Sequence, residues 1–140
     1  MIREIKHSRY VMGNLAYGSD LLNSLTYTCE KENIVLGRLE VIGAVQKVRI
    51  GYYLQDRKIY EYSELNEPME ITSLIGNISI KDGKPFVHAH INLANAEDNV
   101  FGGHLMDGTI VFAAEFIIQV FEGPEFIRDF DDQTKLALWK

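Results

Sequence analysis

The sequence predicts an α+β domain in which a mostly antiparallel β-sheet carries one principal helix packed on it. Three observations lead there. Short apolar runs dominate from Ile34 onward, separated by turn residues. The separators include the tight-turn pairs Asp82-Gly83 and Asp107-Gly108, which join neighbouring antiparallel strands. One stretch near the start has helical spacing instead. A chain of 140 residues is the usual size of one domain, so residues 1–140 are expected to form a single unit.

The elements follow in order. Residues 2–12 read as extended, interrupted at Gly13-Asn14. Ser19 or Asp20 can cap a helix in which Leu21, Leu22, Leu25 and Cys29 share a face, ending around Glu32-Asn33. Ile34–Ile42, Ala44–Leu54 and Lys58–Tyr62 read as strands, broken at Gly43 and at Gln55-Asp56. Pro68 precedes Met69–Ile80, which turns at Asp82-Gly83 into Phe86–Leu93. A polar cluster at Asn95–Asn99 leads to the short Val100–Leu105, and Asp107-Gly108 leads to the long strand Thr109–Phe121. That last strand is apolar on both faces. One face belongs to the core, and the other needs a helix or a neighbouring subunit. A subunit interface is the expectation, because one helix cannot cover both faces of so many strands.

Composition excludes several function classes. Net charge is −6, and the basic residues are dispersed, so nucleic-acid binding is not expected. A single cysteine, Cys29, permits no internal disulfide and reads as a small buried residue on the helix. The start Met1-Ile2-Arg3-Glu4 has no apolar leader pattern, and no run approaches the ~20 apolar residues of a membrane span. A reducing, cytoplasmic location is expected.

The chemistry-bearing pattern is histidine. Of four histidines, three fall within seventeen residues: His88 and His90 in Val87-His88-Ala89-His90-Ile91, and His104 in Gly102-Gly103-His104-Leu105. Alternate strand residues leave the same face, which sets His88 and His90 about 6.6–6.8 Å apart at the backbone. Two such imidazoles can lean toward one ion at the ~2.0–2.1 Å that zinc requires, and a third from the adjacent strand completes a facial set. Neutral imidazoles suit zinc, copper, nickel or iron rather than magnesium or calcium. Three protein ligands leave a position for water or a small-molecule ligand, as in catalytic zinc sites. The competing reading is ordinary hydrogen-bonded histidines on a strand. His7 stands alone and reads as structural or exposed.

Three polar residues interrupt apolar strands and are the catalytic candidates: Glu70, Asn77 and Glu115. A carboxylate there could orient a ligating imidazole or act as a general base; it could equally face solvent or pair across strands.

Glu70-Ile71-Thr72-Ser73-Leu74-Ile75-Gly76-Asn77-Ile78, then Gly83-Lys84-Pro85 before His88-Ala89-His90, then Val100-Phe101-Gly102-Gly103-His104-Leu105, resembles the PPC domain (plants and prokaryotes conserved; domain of unknown function 296). Gly18-Ser19-Asp20-Leu21, Ile42-Gly43-Ala44-Val45 and Gly51-Tyr52-Tyr53 agree, so the resemblance spans nearly the whole chain. It implies a stand-alone prokaryotic domain, a homotrimer, a three-histidine metal site at His88, His90 and His104, and kinship with the acetolactate decarboxylase-like fold. Two departures stand out. No Arg-Gly-Arg-Pro-like AT-hook core is present, and Tyr17 stands where relatives commonly carry arginine.

Two function classes follow. One is a zinc-dependent lyase or hydrolase acting on a small carbonyl or carboxylate substrate. The other is a non-catalytic, metal-stabilised trimeric scaffold, with DNA binding ranked last.

Overall fold

Nine strands and one helix succeed one another along the chain: β1 (Lys6–Leu15), α1 (Leu21–Lys31), β2 (Gly37–Leu54), β3 (Ile59–Leu65), β4 (Met69–Lys81), β5 (Lys84–Ala94), β6 (Val100–Leu105), β7 (Ile110–Glu122), β8 (Ile127–Phe130) and β9 (Ala137–Trp139). The computed structural model describes residues 1–140. The α+β reading holds: the strands form one sheet, antiparallel except where β8 runs parallel to β4.

The 18-residue β2 organises this sheet. Its first half lies between β7 and β4, and its far end pairs with β3 and β6. Because β4 pairs with β5 and β5 with β6, the ladder returns to β2 and closes on itself. A strand of this length can serve both halves only by bending. The bend falls at Gly43, where φ is +135° and both the β4 and β7 registers shift nearby. A Cβ at Gly43 would strike the Ala113 carbonyl, so only glycine lets β7 pass so close. The expected break at Gly43 is therefore a bulge inside one continuous strand. Likewise Gly13-Asn14 does not interrupt β1; both residues pair with β7, opposite Phe116 and Glu115.

Alternation decides what the closed sheet encloses. Val87, Ala89, Ile91 and Leu93 of β5 are buried, as are Leu39 and Val41 of β2 and Leu74 and Ile78 of β4. Against β5 packs α1, with Leu21, Leu25 and Cys29 buried. Asp20 caps the helix by accepting from the Asn23 amide at 2.9 Å, and its other oxygen accepts from the Gly108 amide at 2.6 Å. One carboxylate thus ties the helix start to the turn before β7. No helix is long and apolar enough to cross a membrane.

The last 18 residues hold two short strands that apolar patterning did not announce. β8 joins β4 at Ile80 and Lys81, and β9 folds back on β8.

Leu25, fully buried between α1 and the sheet, tests the packing. Leu25→Ala is expected to cost about 2–5 kcal/mol, read from denaturant unfolding, with wild type and variant each showing a single cooperative transition.

Candidate metal centre

Burial of the odd-numbered β5 positions forces the even ones to the opposite, outer face. His88 and His90 therefore point away from the core, sharing one face as their spacing predicts. The antiparallel register then brings in the third histidine, since His90 lies directly opposite His104 on β6. The ring centroids of His88 and His104 are 4.9 Å apart, and each is within 5.4 Å of His90. One ring nitrogen from each histidine lies within 4.8 Å of the other two. A tetrahedral ion with ~2.0–2.1 Å bonds holds its ligand atoms roughly 3.3 Å apart. A modest inward turn of the rings closes that gap.

Close approach of β6 to β2 depends on Gly103. A Cβ there would stand 3.0 Å from the Gly51 carbonyl oxygen and 3.2 Å from Ile50 Cβ. Any other residue would push the His104 strand outward. His104 Nδ1 is buried without a hydrogen-bond partner. A buried ring nitrogen without a partner is costly in an ordinary core histidine, and a coordinated ion would satisfy it.

The C-terminal segment completes the surroundings. Arg128 on β8 donates from Nε to Ser79 Oγ at 2.8 Å, from Nη1 to the Ala137 carbonyl at 3.1 Å and from Nη2 to Asn77 Oδ1 at 2.9 Å. Nη2 also lies 3.3 Å from His88 Nδ1. A guanidinium only donates, so neutral His88 accepts on Nδ1 and carries its proton on Nε2. The Tyr60 ring from β3 sits 5.2 Å from that of His104. Its phenol is held above the ordinary tyrosine range by burial first, then by Tyr53 and Tyr62.

Of the three catalytic candidates, the fold brings one to the histidines. Asn77 lies opposite His88, and both border a cavity of about 440 Å³ together with His90. Glu70 and Glu115 do not arrive. Glu70 pairs with Ala94 and Ala44, and Glu115 with Ile42 and Asn14. At ~3.3 Å per residue and ~4.8 Å per strand, each is roughly 16 Å from His90. Both occupy exposed outward positions, so the alternation that buries their neighbours sends them to solvent. Tyr17 is also exposed and packs edge-on against Phe112, away from the histidines. Sequence reasoning missed Arg128 and Tyr60. Arg128 sits in a four-residue strand too short to show a period, and Tyr60 is one of two alternating tyrosines in a strand with no chemical motif.

The family model of the Plants and Prokaryotes Conserved (PCC) domain matches residues 3–122. A metal-containing protein from Archaeoglobus fulgidus is similar in structure at a TM-score of 0.95 and 40% identity, over 100% of this chain and 99% of that one. A plant- and prokaryote-conserved protein from Pyrococcus horikoshii follows at 0.93 and 39%, covering 98% and 94%. A candidate DNA-binding protein from Bacteroides thetaiotaomicron, at 0.88 and 22% over 99% and 96%, shares the fold. So, more distantly, does a Staphylococcus aureus protein similar to α-acetolactate decarboxylase, at 0.56 and 14% over 84% and 53%. No curated protein matches the chain.

Electrostatics make the site sensitive to acid. Burial pushes the His88 pKa down to about 4, helped by His104, Arg128 and His90. Burial does the same to His104, also to about 4, with His90 and Arg128 contributing. Unfolded histidine takes up its proton near 6.5, while these folded rings refuse it until about 4. Between those values the unfolded chain binds more protons, so stability falls as pH falls. Metal-free protein is expected to lose thermal stability progressively from pH 6.5 to about 4. The double variant His88→Gln, His104→Gln should show a flatter profile in the same melting series.

Proposed function

The chain belongs to the Plants and Prokaryotes Conserved domain family, and on that premise we propose that His88, His90 and His104 hold one divalent metal ion, with zinc favoured. The observation that carries this reading is the cluster of three ring nitrogens within 4.8 Å, together with a His104 Nδ1 that is buried without a hydrogen-bond partner. The 40%-identical Archaeoglobus fulgidus protein described as metal-containing supports it. The donor set fits: three neutral imidazoles suit zinc and leave coordination positions for a ligand.

The activity that fits this open arrangement is lyase or hydrolase chemistry on a small carbonyl or carboxylate substrate. When bound, the metal would supply a Lewis acid and lower the pKa of water. The chain's own residues divide the remaining work. Asn77 and Arg128 fix the orientation of His88. The Tyr60 ring lies beside that of His104, and burial favours its protonated phenol. Glu70 and Glu115 are too distant to move protons there.

The alternative is a non-catalytic trimeric scaffold, and a specific feature favours trimerisation under either reading. Directly paired residues share a face, and the register runs Met12, Ile117, Glu40, Ile75, His90 across five strands. Met12 is 76%, Ile117 42% and Ile75 54% exposed, so an uncovered row, apolar except for Glu40, leads straight to the histidines. A subunit seated there would border the metal site. DNA binding ranks last: the net charge of −6 opposes it and no AT-hook core is present. A cytoplasmic setting suits Cys29, a buried thiol whose pKa burial raises to about 12.

Purified protein never exposed to chelator is expected to carry close to one metal per chain by elemental analysis. Replacing His88, His90 and His104 together with alanine should abolish it. Stoichiometric absence of metal in the wild type would defeat the proposal. Light scattering should give a trimer mass for the wild type and a smaller species for Ile117→Asp, which sets a charge into the apolar row. A monomeric wild type would remove the interface.

A further inference from the structure

Arg128 and Lys81 are partners in the parallel β4–β8 register, so two cations stand side by side. Neither makes an ion pair anywhere in the structure. Both instead lie over the ring of Phe86, at 5.2 Å from its centroid. They border a cavity of about 180 Å³ whose wall also includes His88, His104 and Tyr60. That wall contains no carboxylate, and neither do the adjoining cavities that reach His88. The chain as a whole is acidic, so this gathering of uncompensated positive charge is local.

From this arrangement we infer that the cavity beside the three histidines binds a small oxyanion, a carboxylate or phosphate, through Arg128 and Lys81. The inference rests on the metal reading and deepens it, because the charge balance then becomes acute. A divalent ion on three neutral imidazoles brings two more positive charges beside Arg128 and Lys81. Buried or half-buried charge of one sign is unfavourable unless an opposite charge joins it, and no side chain in the wall supplies one. The ligand must. The volume, about 180 Å³, admits a molecule of a few carbon atoms.

The tautomer of His88 couples the two ligands. Neutral imidazole has one lone pair, and in His88 it now accepts from Arg128 at 3.3 Å. If His88 gives that lone pair to a metal through Nδ1, Arg128 loses its acceptor. If it ligates through Nε2, the proton moves to Nδ1 and faces the guanidinium donor. Either way metal binding releases an Nη2 hydrogen that an oxyanion can take. Metal and oxyanion therefore strengthen each other's binding, and by linkage the factor is the same in both directions.

The test is titration of the chelator-treated full chain with cobalt(II), followed by its visible absorption, in chloride alone, in acetate and in inorganic phosphate at equal ionic strength. Cobalt affinity is expected to rise about tenfold or more in acetate or phosphate, within the usual range of coupling between sites. Whichever anion produces the rise identifies carboxylate or phosphate as the class. Lys81→Met should lose the enhancement while binding cobalt in chloride at least as tightly as wild type, since it removes a repulsive charge. Arg128→Gln should also lose the enhancement, with melting curves reporting whether it folds; Lys81→Met carries the test if it does not. Cobalt binding indifferent to both anions, or enhancement that survives in Lys81→Met, overturns this inference and leaves the metal reading standing. No cobalt binding in any buffer overturns both.

Discussion

Antiparallel pairing among β4, β5 and β6 sets both which face each side chain takes and what stands opposite it. In β5 the core claims Val87, Ala89, Ile91 and Leu93, so the two histidines between them have no choice of face. A slip of one residue would bury both imidazoles and expose four apolar side chains. The same register sets His104 against His90, and Gly103 allows β6 to come close enough for the rings to meet. Three histidines thus converge without any loop having to hold them. Hydrophobic burial on one face of the sheet is what organises polar chemistry on the other.

That outer face is also where the charge imbalance lies. His88 and His104 stay neutral well below the ordinary histidine range because burial and Arg128 both oppose a proton. A site that refuses protons offers lone pairs across the neutral range, which suits a metal. Arg128, which helps keep the imidazoles neutral, also opposes a divalent ion. Both demands are met together only if an anion is part of the bound state, which is the reason the proposed metal and the proposed oxyanion are best considered as one unit.

The fold class, the helix from its Asp20 cap and the order of the main strands were legible because burial period, turn residues and capping are local signals. So was the shared face of His88 and His90, which needs only the two-residue repeat of a strand. What joins distant strands was not legible. Glu70 and Glu115 looked out of place in apolar runs, but only the register reveals that their outward positions lie far along the sheet from His90. Gly43 looked like a break because a bulge and a chain reversal use the same residue; the pairing of β2 with β7 on both sides of it distinguishes them. Arg128 acts through contacts 40 and 51 residues away, in a segment with no periodicity of its own.

The sheet register makes one more connection. The row that ends at His90 begins at Met12 and passes through Ile117, Glu40 and Ile75, so uncovered, largely apolar surface and candidate metal site are parts of a single face. His90 is the exposed member of the triad, on the side toward that row, whereas His88 and His104 are sheltered by the C-terminal segment and by Tyr60. One flank of the site is therefore built by this chain and the other is left open by it. In the proposed trimer a neighbouring copy would close the open flank. Water would then be excluded from both sides, which strengthens every charge interaction within. Assembly and chemistry would in that case be a single property of the outer face, and a substitution in the apolar row far from any histidine would be felt at the metal.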